Sequence, residues 1–446
     1  MTILKSADAL RAKKVSSLEL TNDTLEKIGR ENPRLNAFIT VTADVARARA
    51  SAMDAELAHG VDRGPLHGIP FAHKDIVYTK GVRTTGGMKI FENFVPDHDA
   101  DIAISLERAG AVMVGKTNLH ECAYGITSTN PHFGAVRNPW DTDRIPGGSS
   151  GGSGAAVAAG ILPLATGTDT GGSIRIPASF CGITGLKPTF GRISKRGVMP
   201  LGWTMDHMGP MTKTVRDCAL AFHAMGGPST DLSSTDIRGL RIGLPLNYYF
   251  DRLDLEVSES VRTAVQTAAA LGARIIDIKV PDIDALNVIG RVLLLAEATT
   301  VHLENLLTRR ADFGSDVVTL LDQGRLIRGS DYVDAQRLRR IYIREFSKLW
   351  SEVDCIFTPT TPTPAPKIGQ TTMNVGGVDE DTRLATTRLM RAINVLGIPA
   401  LSIPCGFTKS GLPIGLQILG APRAEETILR VGAAIEDATS VVGRRP

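Results

Sequence analysis

Cysteine is scarce in this sequence, and the few cysteines that occur are scattered. The 446 residues include five of them, and no two form a C-x-x-C pair. An odd, dispersed set argues against both a disulfide framework and a zinc ribbon. We therefore expect a protein of a reducing compartment, which points to a cytoplasmic location.

The chain also lacks a strong excess of charge and a long apolar run. Its 50 lysines and arginines stand against 47 aspartates and glutamates, a net charge of +3, so no long-range field favours nucleic acid or an anionic membrane. Residues 1–10 have no apolar core typical of a secretory signal, and the alanine-rich run after Gly154 is broken by Gly160 and Pro163. We expect a protein that is neither exported nor membrane-spanning and that acts on small molecules.

Two signatures of other enzyme classes are incomplete. A nucleotide-binding P-loop needs G-x-x-x-x-G-K-[ST], but no lysine follows the glycines of the segment 147–154. A zinc-protease helix needs H-E-x-x-H, but the pattern that His120 and Glu121 begin ends on Tyr124. Nucleotide binding and metal-dependent hydrolysis are therefore disfavoured, and we interpret His120 as a hydrogen-bonded structural residue.

The distribution of glycine divides the chain into regions. Residues 1–60 are expected to be helical, whereas residues 64–210 alternate short apolar runs with glycine-rich loops and helical segments, which predicts an α/β core around a buried sheet. A strand-helix-strand unit is expected between 238 and 279. Residues 282–350 carry much charge and little glycine, which is typical of a helical cap. The prolines between 359 and 366 favour an ordered loop over an interdomain linker, because strand-like segments lie on both sides.

Hydroxyl groups and one lysine, all framed by glycine or apolar residues, are the features that suggest chemistry. Serines lie in the segment 147–154 and again at Ser173, and Lys74 lies upstream in an apolar stretch. A serine needs a base to take its proton, and the resulting oxyanion needs preorganised N–H donors. No histidine lies in a glycine-framed loop beside these serines, so Lys74 would be the base, with its pKa lowered from about 10.4 toward about 7 by burial. The alternatives are a surface ion pair of Lys74 with Asp75 and a flexible glycine-serine loop.

Three blocks in the expected order make the chain resemble the amidase signature family of serine hydrolases. The blocks are G-I-P-F-A-H-K-D ending at Asp75, P-G-G-S-S-G-G-S from Pro146 to Ser153, and G-T-D-T-G-G-S-I-R-I-P-A from Gly167 to Ala178. The resemblance covers about residues 60 to 440, with a divergent middle. It implies the amidase signature fold, an α/β fold with a central mixed twisted β-sheet covered by helices on both faces. It also implies a helical segment at 1–60 packed on a catalytic domain at 61–446, with a cap at about 282–350.

The same resemblance assigns the candidate site and implies no metal or organic cofactor. Ser173 would be the nucleophile, Ser149 the bridging serine that relays its proton, and Lys74 the general base. A cis peptide is expected between Gly148 and Ser149. The other residues that the resemblance assigns are oxyanion donors (the amides of Thr170, Gly171, Gly172 and Ser173) and loop support (Ser150, Asp169 and Arg175). From their positions in the chain, we expect Tyr124, Gly125 and residues within about 292–321 to line the pocket.

The resemblance leaves several substrates open. The family includes stand-alone amidases, urethanase- and allophanate-type hydrolases of carbamates and urea-like compounds, and the glutamine-hydrolysing component of the glutamyl-tRNA amidotransferase, which releases ammonia from glutamine for a partner protein. Against that component, the stretch Glu297–Arg309 departs from its N-L-A-R-Y-D-G-like pattern. In addition, Thr387 stands where it uses an aspartate to hold the ammonium group of glutamine, seven positions before the asparagine that matches Asn394.

We therefore predict a stand-alone hydrolase of small uncharged or aryl amides, carbamates included. A homodimer is expected from the family alone. A catalytically idle binding protein with the same fold is disfavoured, because all three candidate catalytic side chains, Lys74, Ser149 and Ser173, are present.

Overall fold

The computed structural model describes residues 2–441 and 444–446. The helices are α1 (Ile3–Arg11), α2 (Ser17–Leu35), α3 (Ala43–Ala58), α4 (Asp101–Arg108), α5 (Gly151–Ala158), α6 (Arg175–Cys181), α7 (Val215–Ala224), α8 (Leu255–Ala270), α9 (Ile283–Thr308), α10 (Ser315–Gly324), α11 (Gly329–Ser347), α12 (Thr382–Thr387), α13 (Arg391–Leu396) and α14 (Glu425–Ala438). The strands are β1 (Phe38–Val41), β2 (Pro70–Lys74), β3 (Val112–Thr117), β4 (Thr129–Asn130), β5 (Gly134–Ala135), β6 (Leu164–Asp169), β7 (Thr184–Lys187), β8 (His207–Thr212), β9 (Arg241–Pro245), β10 (Arg274–Ile278), β11 (Cys355–Pro359), β12 (Thr372–Val375), β13 (Val378–Asp381), β14 (Ala400–Phe407) and β15 (Pro413–Gly420).

Eleven of these strands form one mixed sheet. Their order across the sheet is β1-β3-β2-β6-β8-β7-β14-β15-β11-β9-β10. Strand β2 runs parallel to both β3 and β6, the central strands from β6 to β11 pair antiparallel, and β11, β9 and β10 are again parallel. Helices flank the sheet, so the α/β fold class predicted from the sequence is confirmed.

Strand β2 shows how the sheet separates two packed layers. Successive side chains of a strand point to opposite faces. Phe71 accordingly packs in the largest apolar cluster, whereas Ala72 packs in a second cluster with the alanines of α5. Lys74 follows Ala72 by two residues and points to the same side. Because all of β2 is buried, this strand delivers an amine to the interior, next to the start of α5.

The first turn of α5 approaches neighbouring backbone so closely that only glycine fits. A Cβ on Gly152 would lie 2.4 Å from the carbonyl oxygens of both Ala37 and Asn118. The Gly152 amide also donates to the Asn118 carbonyl at 3.0 Å. This contact holds the first turn of α5 against the residue that follows β3.

The N-terminal segment differs from the prediction in one element. Helices α1, α2 and α3 are present as expected, but β1 lies between α2 and α3 and pairs antiparallel with β3 at the edge of the sheet. The prediction of an entirely helical segment is therefore wrong at Phe38–Val41, because four residues between two helices are too few to show an alternating pattern. The cap region contains α9, α10 and α11, as predicted, while the division into domains at residue 60 stays a prediction.

Two expectations drawn from composition can be compared with the fold. The five cysteines are all buried and free. Helix α9 is the one described helix that is long and apolar enough to cross a membrane, but half of its apolar window is buried inside the fold, where it contacts α10, α11 and α13. A buried core helix explains that composition. The cytoplasmic location stays a prediction.

Replacing Gly152 by alanine should destabilise the protein, because the new methyl group would meet two backbone carbonyl oxygens. We expect the free energy of unfolding to fall by about 1–3 kcal/mol, the usual effect of overpacking. Gly29 is the matched control, since it lies inside α2 with no atom within 4 Å of an added Cβ. Gly29→Ala should stabilise by about 0.5–1 kcal/mol. Urea unfolding followed by circular dichroism measures both, and equal stability of the two variants would contradict this account.

Candidate active site

The amine of Lys74 lies in a buried cluster of hydroxyl groups. Its Nζ is 2.7 Å from Ser149 Oγ, 3.0 Å from Ser150 Oγ and 2.7 Å from Thr168 Oγ1. Thr168 was not identified from the sequence, although it lies in the third sequence block. A hydroxyl can donate or accept a hydrogen bond, so this cluster is compatible with a neutral amine as well as with an ammonium group.

Burial changes the protonation of Lys74. It lowers the pKa of the amine to about 7, although the negative charges of Asp169 and Asp206 act in the opposite direction. The adjacent Asp75 points elsewhere, because its carboxylate accepts hydrogen bonds from the amide and hydroxyl of Thr85. Both Lys74 and Asp75 are fully buried, which excludes the alternative of a surface ion pair. A substantial fraction of this amine is therefore neutral near pH 7.

The two serine segments lie against each other. The peptide bond between Gly148 and Ser149 is cis, as expected, and the Ser150 amide donates to the Ser173 carbonyl at 3.3 Å. In the part of the chain that the structure describes, no hydrogen bond joins the hydroxyls of Ser149 and Ser173. Catalytic hydrogen bonds often tighten only when substrate is bound, so a contact between these two hydroxyls stays a prediction.

A buried ion pair holds the loop that carries Ser173. Arg175 Nη2 and Nε lie 2.9 Å from Asp169 Oδ1 and Oδ2 respectively. The same carboxylate accepts the amides of Gly172 at 2.8 Å and Ile174 at 3.1 Å. Burial alone would raise the pKa of Asp169, but the charge and hydrogen bonds of Arg175 hold it well below its usual range. The loop is thus fixed on both sides of Ser173.

Two neutral side chains complete this ion pair. Asn394 donates to Asp169 Oδ1 at 2.8 Å and accepts from Arg175 at 2.6 Å, and Gln417 accepts from Arg175 at 2.7 Å. These contacts place α13 and β15 against the loop. From the sequence alone, Asn394 is only an alignment anchor, and Gln417, although it lies in the family-like segment 411–420, is assigned no role.

One of the four amides predicted as oxyanion donors is already occupied. The Gly172 amide donates to the Asp169 carboxylate, so its prediction as a free donor does not fit this geometry. Among residues 2–441 and 444–446, the amides of Thr170, Gly171 and Ser173 donate to no other group. These three stay candidate oxyanion donors.

A cavity that is open to solvent lies beside Ser173. Tyr124 and Gly125 line it, and so do leucines from the cap range 292–321, while their roles in substrate binding stay predictions. The lining residues that no sequence motif indicates include three arginines, Arg291, Arg383 and Arg391. Arginine is common in this sequence, and only the tertiary structure shows which arginines line the cavity beside Ser173.

His120, which begins the incomplete zinc-protease pattern, is held by hydrogen bonds and packs against Gly125. His120 is hydrogen-bonded to Asp316 at 2.9 Å and to Thr127 at 3.2 Å, in agreement with its interpretation as a structural residue. A Cβ on Gly125 would lie 2.2 Å from the His120 ring, so the loop passes this ring only as glycine. Within the described ranges, no group of three or more His, Cys, Asp or Glu side chains is arranged to hold a metal ion.

A mixed sheet flanked by helices, with a buried lysine among serines, is the architecture of an amidase-type enzyme, a hydrolase that acts on carbon–nitrogen bonds. The family model described as Amidase matches residues 19–429. Because this match spans most of the chain, the protein belongs to the amidase signature family, as the sequence blocks indicated.

Known proteins that resemble the chain differ in function. It is 40% identical to the A-subunit of the glutamyl-tRNA(Gln) amidotransferase of Geobacter metallireducens, over 99% of this chain and 97% of that protein. It is also similar to a solved structure of a vestigial protein complex that bears on the evolutionary origins of an s-triazine catabolic enzyme, with 37% identity, a TM-score of 0.93 and 98% of both chains covered. A bacterial aryl acylamidase of the amidase signature family shares 25% identity and a TM-score of 0.90, over 100% of this chain and 99% of that one.

Replacing Asp169 by asparagine should destabilise the protein strongly, because it leaves the buried guanidinium of Arg175 without a counter-charge. We expect a loss of about 3–5 kcal/mol in the free energy of unfolding. Asp437→Asn is the matched control, since it breaks the exposed ion pair with Arg216 and should cost at most about 1 kcal/mol. Urea unfolding measures both variants, and a similarly small loss in each would show that the buried pair does not hold the loop.

Proposed function

We propose that this protein hydrolyses the carbon–nitrogen bond of small amides, with Ser173 as nucleophile, Ser149 as proton relay and Lys74 as general base. The observation that carries the proposal is the 2.7 Å contact between the lysine amine and the Ser149 hydroxyl, in a site where burial lowers the pKa of Lys74 to about 7. A lysine in water has a pKa of about 10.4 and would hold its proton at neutral pH.

The reaction consists of two acyl transfers. Lys74 accepts the proton of Ser149 while Ser149 accepts that of Ser173, and Ser173 Oγ attacks the amide carbonyl carbon. The tetrahedral oxyanion lies among the amides of Thr170, Gly171 and Ser173. Collapse breaks the C–N bond as the proton on Lys74 returns through Ser149 to the departing nitrogen. Water then attacks the acyl-enzyme through the same relay and releases the acid.

A second candidate function is hydrolysis of glutamine as the glutaminase component of a tRNA amidotransferase. The high identity to such a protein over nearly the whole chain favours it, and it would require a partner that uses the ammonia. The cavity favours the first candidate instead. Its described lining contains no aspartate or glutamate, and Thr387 lines it at the position where we expect that component to hold the glutamine ammonium group.

Carbamates and urea-like compounds remain in the substrate range of the first candidate, because the same attack cleaves their C–N bonds. The purified protein, assayed alone for release of ammonia or amine from small amides, aryl carbamates and glutamine, separates the candidates. Turnover of several amides without any partner protein supports the first candidate. Turnover that is restricted to glutamine and that requires a partner protein supports the second. Assembly as a homodimer stays a prediction.

Ser173→Ala and Lys74→Met should each abolish most of this activity, because one removes the attacking atom and the other removes the base. General-base catalysis contributes about 10²- to 10⁴-fold, and we expect kcat/KM to fall by at least that factor. Ser153→Ala is the matched control from the same glycine-serine run, since the Ser153 hydroxyl bonds Thr117 and Thr166 and not Lys74. Unchanged turnover by Lys74→Met would contradict the proposed mechanism.

A further inference from the structure

Three positive side chains face the cavity without a negative partner. Arg291, Arg383 and Arg391 line it, and among the residues that the structure describes none of the three forms an ion pair and no carboxylate lines the same space. Arg391 donates one hydrogen bond, from Nη2 to Thr387 Oγ1 at 2.9 Å, and its Nε is buried without a partner. A guanidinium has five N–H donors, and buried charges are normally paired. This site therefore lacks a counter-charge that a ligand could supply.

Arg391 borders the loop of the nucleophile. A Cβ on Gly171 would lie 3.8 Å from Arg391 Nε, and Gly171 precedes Ser173 by two residues. On its other side, the aliphatic part of Arg391 packs on α9, where a Cβ on Gly290 would lie 2.9 Å from Arg391 Cγ. The side chain is thus held between α9 and the loop, and it lines the same cavity as Ser173.

The arginines also act on one another electrostatically. Burial lowers the pKa of the Arg391 guanidinium to about 10, and the charges of Arg383 and Arg291 act in the same direction. The group still carries its charge at neutral pH. An anion in the cavity would relieve this mutual repulsion, whereas a cation would increase it.

We propose that the substrate is an amide that carries a carboxylate, and that Arg391 and Arg383 bind that carboxylate while Ser173 attacks the amide carbonyl. The inference rests on the proposed amidase function and replaces the uncharged substrate expected from the sequence. Arginine pairs with carboxylates through two parallel N–H···O bonds, which fixes orientation as well as charge. The same three cations repel the ammonium group of free glutamine, so an N-acylated or amine-free carboxylate is preferred to the zwitterion.

Two matched pairs of small amides test this selectivity. Succinamate and butyramide differ in a carboxylate, and N-acetyl-L-glutamine and L-glutamine differ in a free ammonium group. We expect kcat/KM of the wild-type enzyme to be about 10- to 100-fold higher for the first member of each pair, the effect of one or two charge-assisted hydrogen bonds. A ratio near one for succinamate over butyramide, or a preference for free glutamine over its N-acetyl form, would overturn the proposal.

Variants then locate the anion site. Arg391→Met should reduce the succinamate preference toward one, and Arg340→Met, an exposed arginine of α11 outside the cavity, should leave it unchanged. Thr387→Asp keeps the guanidinium but places a carboxylate beside Arg391 Nη2, so it should also reduce the preference, and it serves if Arg391→Met does not fold. A preference that survives both cavity variants would contradict the assigned contact.

Binding distinguishes this inference from the proposed function. Calorimetric titration of the Ser173→Ala protein with succinamate and with butyramide needs no turnover, and we expect succinamate to bind about 10- to 100-fold more tightly. If the wild-type protein cleaves no amide while this difference is present, the amidase mechanism fails and the anion site stands. If amides are cleaved but the two ligands bind equally, the amidase mechanism stands and the anion site is wrong.

Discussion

The burial of one amine among hydroxyl groups is the constraint on which the rest of the site depends. Strand β2 carries Lys74 into the interior, and the oxygens that contact its Nζ come from the segment before α5 and from β6. A carboxylate in direct contact would favour the charged ammonium form and raise its pKa. Hydroxyl groups satisfy the amine without fixing its charge, and the glycines around them allow the backbone segments to approach closely enough to do so.

The site contains one paired carboxylate, Asp169, and one guanidinium without a carboxylate partner among the described residues, Arg391, and the two groups have different consequences. The Asp169 carboxylate is paired with Arg175, so its charge serves mainly to build the loop, and its effect on Lys74 is weakened by the adjacent guanidinium. Arg391 has no such partner among the described residues. One buried ion pair therefore shapes the loop of Ser173, while Arg391 lines the adjacent cavity without a carboxylate partner among the described residues.

The sequence predicts the parts of this site that lie in short contiguous blocks. Lys74, Ser149 and Ser150 each occur in such a block, and the structure brings their side chains together. The contacts of Thr168 and the occupied amide of Gly172 depend on how β6 and the following loop turn, which spacing alone does not reveal. The proposed role of Arg391 is harder still to predict from sequence. It depends on the packing of α13 between α9 and the loop, and on the lack of acidic side chains in the described lining of the cavity. Strand β1 cannot be predicted in the same way, because its four residues are too few to show an alternating pattern.

The pKa of the Lys74 amine is the measurement that tests the central claim most directly. Nuclear magnetic resonance of protein labelled at lysine Cε and Nζ, with the spectrum of Lys74→Met to assign the signal, follows this titration without any substrate. The account predicts that a lysine signal titrating near pH 7 is present in the wild-type spectrum and missing from that of the variant. A Lys74 signal that titrates near the ordinary lysine value of about 10.4 would show that the amine is charged at neutral pH and is not the base.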